Sequence, residues 1–168
     1  MELLIPRHGC WTRDAGIACA IMVADCLPVI LSDRAGSVVA AVHAGWRGLV
    51  AGVLESAVSS LGVAPQELHA WLGPAIGRDS FEVGPEVRSA FLKHSAAAAT
   101  ASCFRPSNRR DGHYLADLPA LARQRLRKLG LIDIQAFKAC TVGEPARFYS
   151  YRRDGVTGRM ACLILRNP

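Results

Sequence analysis

Ala24-Asp25-Cys26-Leu27-Pro28-Val29-Ile30-Leu31, the turn Ser32-Asp33-Arg34-Ala35-Gly36-Ser37 and the return Val38-Val39-Ala40-Ala41-Val42-His43-Ala44-Gly45-Trp46-Arg47-Gly48 form the stretch whose reading decides the fold. Two short apolar, β-branched runs separated by Asp, Gly and Ser predict a β-hairpin. A hairpin returns its outer ends to one place, so the Cys26 thiol and the His43 imidazole are expected to meet. Both groups bind metals, and both serve in nucleophilic catalysis. Asp25, Gly45, Arg47 and Gly48 put polar, charged and glycine residues where a plain hairpin would use packing residues, which marks this end as the candidate site. Trp46 reads as core filling. Asp25 reads equally as a turn-capping carboxylate, as a group orienting His43, or as one acting on a substrate.

Before the hairpin, Ile17 to Val23 reads as a buried strand, and residues 1–16 read as an irregular lead-in without helical or strand periodicity. After it, Val50, Leu54, Ala57, Val58 and Leu61 mark one face of a helix ending before Gly62. His43 is then at a strand end and Arg47 near a helix start, a place that favours anions. Leu68-His69-Ala70-Trp71-Leu72 is a strand, followed by the loop Gly73-Pro74-Ala75-Ile76-Gly77, where backbone can approach a ligand closely. A helix begins at Pro85. The segment from His94 to Gly112 has no clear period and reads as a surface excursion. Asp117 is the N-cap of a helix buried through Leu118, Leu121, Ala122, Leu126 and Leu129 and closed by Gly130. Strands follow at Ile134-Gln135-Ala136-Phe137-Lys138 and from Arg159-Met160 to Leu165. The class is α+β: mixed β-sheets flanked by helices in a single domain, without regular βα alternation.

Length and composition bound the rest. A chain of 168 residues, 51% apolar and 20% charged, is long enough for a real core and too apolar for disorder. No run approaches the length of a membrane span. Six cysteines lie far apart without a CxxC pair, which predicts reduced thiols in a cytoplasmic protein. The acidic residue Glu2 and a short apolar run do not make a signal peptide. The net charge of +6 is almost all arginine, suited to forked capture of phosphate or carboxylate. The arginines are scattered and aromatics are only 7%, so an anionic small molecule fits better than nucleic acid.

Four motifs in order resemble the laccase-domain, or YfiH-like, family: Ala24-Asp25-Cys26-Leu27-Pro28-Val29; Val39-Ala40-Ala41-Val42-His43-Ala44-Gly45-Trp46-Arg47-Gly48; Leu72-Gly73-Pro74-Ala75-Ile76-Gly77 with Phe81-Glu82-Val83-Gly84; and Phe148-Tyr149-Ser150-Tyr151-Arg152-Arg153-Asp154-Gly155 with Thr157-Gly158-Arg159-Met160. The match covers about Ile17 to the end, leaving 1–16 as a lead-in and 17–168 as the catalytic domain. The resemblance implies a layered α/β/β/α fold. It also implies purine nucleoside phosphorylase activity, in which adenosine, inosine, guanosine or methylthioadenosine and phosphate give the base and ribose 1-phosphate. Adenosine deamination, copper-dependent polyphenol oxidation and peptidoglycan editing are further activities attributed to the family. Its metal site uses two histidines and a cysteine. Cys26 and His43 match the cysteine and the second histidine, whereas the first lies upstream of the segment matching Ile17 to Val23, and this chain starts too late to contain it. His8 is a candidate for that third nitrogen through its nearness in sequence.

Zinc is the expected metal and copper its alternative, since a thiolate and an imidazole suit both. Phosphorolysis also needs an anion held against the sugar, which assigns Arg47 and Arg152 to phosphate and leaves Arg153 as a structural partner of Asp154. Asp25, Arg47 and Arg152 are therefore the catalytic candidates, and Gly45, Gly48, Gly73 and Gly77 the substrate-facing backbone. The expected partners are a purine nucleoside and phosphate, without nucleic acid or membrane, in a monomer or small homo-oligomer. Two other readings stay open. Cys26 and His43 can form a metal-free dyad for acyl transfer or deamidation, a pairing found in a bacterial toxin deamidase of similar fold, or the chain is an inactive remnant or binding module.

Overall fold

A computed structural model describes residues 2–5, 8–94 and 98–167. The chain begins with strands β1 (Glu2–Ile5), β2 (Gly9–Thr12) and β3 (Ala18–Val23). The expected hairpin follows as β4 (Leu27–Asp33) and β5 (Val39–Ala44), paired antiparallel with Leu27 opposite Ala44 and Ser32 opposite Val39. Its turn is held by one side chain. The Asp33 carboxylate accepts from the amide and hydroxyl of Ser37, both at 2.6 Å, and from the Val38 amide at 3.1 Å.

Helices α1 (Trp46–Val50) and α2 (Val53–Leu61) stand where the sequence predicts one continuous helix. The break is at Gly52, whose φ of 84° is left-handed and ends a right-handed helix whatever the apolar spacing around it. Next come β6 (Leu68–Leu72), β7 (Glu82–Val83), α3 (Pro85–His94), α4 (Ala98–Ala101), β8 (Phe104–Pro106) and β9 (Tyr114–Ala116). The described part of the segment after His94 is thus more than a surface excursion, because Thr100, Cys103 and Phe104 are buried. Helix α5 (Leu118–Lys128) begins at Asp117, whose carboxylate accepts from the Ala120 amide at 2.9 Å, as the sequence predicts. Strand β10 (Asp133–Ala136), the short helix α6 (Tyr151–Asp154) and β11 (Met160–Leu165) complete the chain.

The strands form a six-stranded sheet ordered β1-β2-β5-β4-β6-β10, a two-stranded sheet of β11 and β3, and a three-stranded sheet of β7, β9 and β8. Mixed sheets and helices make the α+β class. Leu27, Val29 and Leu31 of β4 and Ala40 and Val42 of β5 turn one face of the large sheet into a core with Leu54, Leu61, Leu121 and Leu126 of α2 and α5. On the other face Val39 and Ala41 pack against Cys19, Ile21 and Val23 of β3. The outward residues of that second sheet, Met22, Leu163 and Leu165, remain exposed.

The lead-in, expected to be irregular, holds two strands among its described residues, while residues 1, 6 and 7 lie outside them. Gly9–Thr12 pair antiparallel with β5, from Gly9 opposite Val42 to Thr12 opposite Val39. Cys10, between the large sheet and β3, packs on the second core while Trp11 packs on the first, so both sides of β2 are half-buried and no polar–apolar alternation marks it. No helix among the described residues is long and apolar enough to cross a membrane.

Candidate active site

Hairpin register builds the site. Pro28 is opposite His43 and Leu27 opposite Ala44, so one step further out Cys26 comes level with Gly45. Because strand side chains alternate, Leu27 and Ala44 enter the core while Cys26, His43 and Gly45 share the opposite face. A Cβ at residue 45 would stand 3.0 Å from the Cys26 Sγ and 3.8 Å from the His43 Nε2. Thiol and imidazole therefore converge on one point, and glycine is the residue that leaves it open.

Asp25 holds the corner from which Cys26 projects. It is the one non-glycine residue with positive φ (85°) among the described residues. Its carbonyl accepts from the Ile76 amide at 2.9 Å. Its carboxylate accepts from the Thr141 hydroxyl on one oxygen and from the Arg152 amide on the other, both at 2.6 Å. Thr141 is completely buried, and its own amide bonds the Ala75 carbonyl at 3.1 Å. Asp25 thus ties together the β3–β4 corner, the loop after β6, the segment after β10 and the start of α6. Neither carboxylate oxygen bonds His43; of the roles open to Asp25, this geometry matches the turn-holding one.

Charge around Cys26 has two signs. Burial, with the Asp25 carboxylate adding to it, pushes the thiol up, while Arg159 and Arg47 oppose the rise. Burial pushes the His43 imidazole down, and the charge of His8 adds to it. A thiolate–imidazolium nucleophile pair needs shifts of the opposite sign, so both directions run against such a pair.

The arginines divide by their bonds. Arg152 donates through one terminal nitrogen to the carbonyls of Glu82 (3.0 Å) and Ser80 (3.5 Å) and lies over the Phe81 ring, with the rest of its guanidinium toward solvent. Arg47 is exposed and lies 4.4 Å from the centroid of the Trp46 ring. Arg153 is structural as predicted: it forks onto Asp154 with two bonds of 2.7 Å and also donates to the carbonyls of Thr141, Val142 and Phe148. Of the candidate glycines, Gly73 lies against Pro28 and Trp71, Gly77 against Cys140, and Gly48 against Val53 and the His43 carbonyl. A close protein neighbour accounts for the missing side chain at Gly73, Gly77 and Gly45, at 3.0 Å or less, whereas a Cβ at Gly48 would make only ordinary contact.

Sequence reasoning missed three contributors. Thr141 clamps Asp25, Arg159 places a charge on Cys26, and Ser80 meets the Cys140 thiol at 3.5 Å. Burial pushes that thiol up, but the Ser80 hydroxyl and the amides of Gly143, Gly77 and Val142 more than reverse the effect. No local pattern singles out Thr141 or Ser80, and the motif that holds Arg159 gives no sign of its charge on Cys26, because each acts across a long stretch of chain.

As a metal site, Cys26 and His43 supply two converging donors of the kind zinc and copper accept. Among the described residues no group of three or more His, Cys, Asp or Glu is arranged to hold a metal ion. His8 comes near, its ring centroid 6.2 Å from that of His43 and its carbonyl accepting from the His43 amide at 2.7 Å, yet it does not complete such a group.

Residues 6–167 match the family described as multi-copper polyphenol oxidoreductase laccase. The chain is 53% identical over 154 residues to a purine nucleoside phosphorylase of Pseudomonas aeruginosa, covering 92% of this chain and 62% of that one. It is 51% identical to purine nucleoside phosphorylase YfiH of Escherichia coli, covering 92% and 61%. A crystal structure of a Neisseria meningitidis protein superposes with a TM-score of 0.90 at 47% identity, covering 96% of this chain and 65% of that chain. The chain spans about three fifths of the length of the relatives it matches. The match reaches back to residue 6 and includes strand β2, whereas the four motifs alone cover the chain only from about Ile17. On the family match and these identities, the chain belongs to the laccase-domain, YfiH-like family.

Proposed function

We propose that this chain carries the catalytic core of a zinc-dependent purine nucleoside phosphorylase. The observation that carries the reading is the convergence of Cys26 and His43 on the open face of Gly45, beside a corner tied directly to Arg152. In the reaction a phosphate oxygen forms a bond to C1′ of the ribose as the C1′–N9 bond breaks. The electron pair leaves with the purine, which takes up a proton. Arg152 and Arg47 hold the phosphate and offset its charge, since each has guanidinium surface toward solvent at the site. Asp25 fixes the corner and places Arg152. Cys26 and His43 would hold the zinc, with a further ligand from outside this pair. Bound there, zinc supplies Lewis acidity, which suits polarising the sugar or the purine.

Adenosine deamination is the second activity proposed, because the same metal chemistry suits hydrolytic loss of an amine. The metal-free dyad is disfavoured by the directions in which the Cys26 and His43 protons are shifted. The test is incubation of the purified chain with adenosine, phosphate and added zinc, followed by chromatography and metal analysis. Adenine formation that depends on phosphate supports the reading, and inosine supports the deaminase activity. Absence of both products overturns it for this chain, and activity with copper in place of zinc corrects the metal.

A further inference from the structure

Asp25 adopts a backbone conformation that L residues rarely hold, and such a conformation persists only where the surroundings over-determine it. Three bonds do so here: the Ile76 amide to its carbonyl, the Thr141 hydroxyl to one carboxylate oxygen and the Arg152 amide to the other. Two of the donors are backbone and come with the fold. The Thr141 hydroxyl is the one contributed by a side chain, and it is fully buried against a carboxylate that is only 8% exposed.

We propose that Thr141 is a positioning residue: its hydroxyl, through Asp25, sets the aim of the Cys26 thiol and the placement of Arg152 together. Cys26 follows Asp25 directly, so rotation of the corner is transmitted to its Sγ. Arg152 shares the clamped carboxylate, so the same rotation loosens the first turn of α6, whose Ser150 cap is also buried. Removing the hydroxyl leaves a buried carboxylate oxygen without its donor, and the carboxylate must turn to find another. The metal ligand and the anion-binding arginine are therefore adjusted by one group that touches neither metal nor substrate. The inference rests on the roles given above to Cys26 and Arg152.

The test compares Thr141→Val, which keeps the shape and loses the hydroxyl, with Thr141→Ser, which keeps the hydroxyl. Three quantities are read on the full chain, with thermal melts as a control for folding. They are the alkylation rate of Cys26 by iodoacetamide in metal-free protein, mapped by mass spectrometry; zinc affinity by competition with a chromogenic chelator; and KM for phosphate with adenosine. Thr141→Val is expected to change the Cys26 alkylation rate, lower zinc affinity about 10- to 100-fold and raise KM for phosphate. Thr141→Ser is expected to restore all three to within about threefold of the parent. Unchanged Cys26 reactivity and zinc affinity in a folded Thr141→Val chain overturn the proposal, as does a folded Thr141→Ser chain that fails like the valine. If the valine variant does not fold, Thr141→Ala removes the same hydroxyl and leaves the Asp25 charge in place, and unchanged Cys26 alkylation there overturns it. A parent chain that binds no zinc and makes no adenine defeats the proposed function, whereas the alkylation rate still reads the Thr141 clamp by itself.

Discussion

Gly45 and Cys26 face each other across the open end of the β4–β5 hairpin so closely that a methyl group on residue 45 would stand 3.0 Å from the Cys26 sulfur. Gly45→Ala should displace the thiol while leaving the hairpin paired. Zinc affinity is expected to fall about 10- to 100-fold with a melting temperature near that of the parent. Chelator competition and a thermal melt on the same sample check both halves, and undiminished zinc affinity contradicts the geometry.

Arg152 and Arg153 are adjacent in sequence and opposite in expected effect. Arg152→Ala should raise KM for phosphate about 10- to 100-fold, the value of one or two charge-assisted bonds, and leave zinc bound. Arg153→Ala should act on stability, because its guanidinium ties Asp154 and three carbonyls together. Steady-state kinetics and urea denaturation separate the two, and a purely kinetic Arg153 variant contradicts the division.

Alkaline solutions should weaken the fold through its buried thiols. Burial, with smaller contributions from Cys10, pushes Cys19 from 9.0 up to about 12, and burial with the Asp117 charge pushes Cys103 up to about 11. A thiol that ionises more readily unfolded than folded contributes stability in full below pH 9.0, and loses it as the pH rises toward the folded values. Urea midpoints should fall between about pH 8 and about pH 10.5, and Cys19→Val should flatten the decline. A midpoint independent of pH over that interval contradicts the expectation.

The hairpin turn has the opposite pH dependence. Burial raises the Asp33 carboxyl, but the Ser37 hydroxyl and the amides of Val38 and Ser37 together bring it below its ordinary 3.8. Its contribution is complete above 3.8 and lost as pH falls through the lower folded value. Asp33→Asn should cost about 1–2 kcal/mol at neutral pH and less in acid, as read by denaturation at the two pH values.

The hairpin, the Asp117-capped helix and the closing strand were legible because period, cap and turn chemistry coincide in each. Strand β2 was not, since Cys10 and Trp11 are both half-buried and remove the alternation that would mark it. The apolar face running from Leu49 to Leu61 hid the break at Gly52, because a left-handed glycine leaves the spacing of buried residues almost unchanged. Within the site, Cys26, His43 and Gly45 could be found because a hairpin converts nearness to a turn into nearness in space. Thr141 could not, since its bond to Asp25 spans 116 positions and leaves no local pattern.

That span has a kinetic meaning. Asp25 bonds Arg152 across 127 positions, and Val23 pairs with Met160 in the sheet just before it. Such contacts close very long loops, and loop closure of this length comes late and slowly in folding. The hairpin can therefore form early with Cys26 and His43 already opposed, while the corner that aims the thiol waits for the two ends of the sequence to meet. In refolding, zinc affinity should mature after the secondary structure does. A chain released before its last segment has docked would possess both ligands and no fixed arginine beside them.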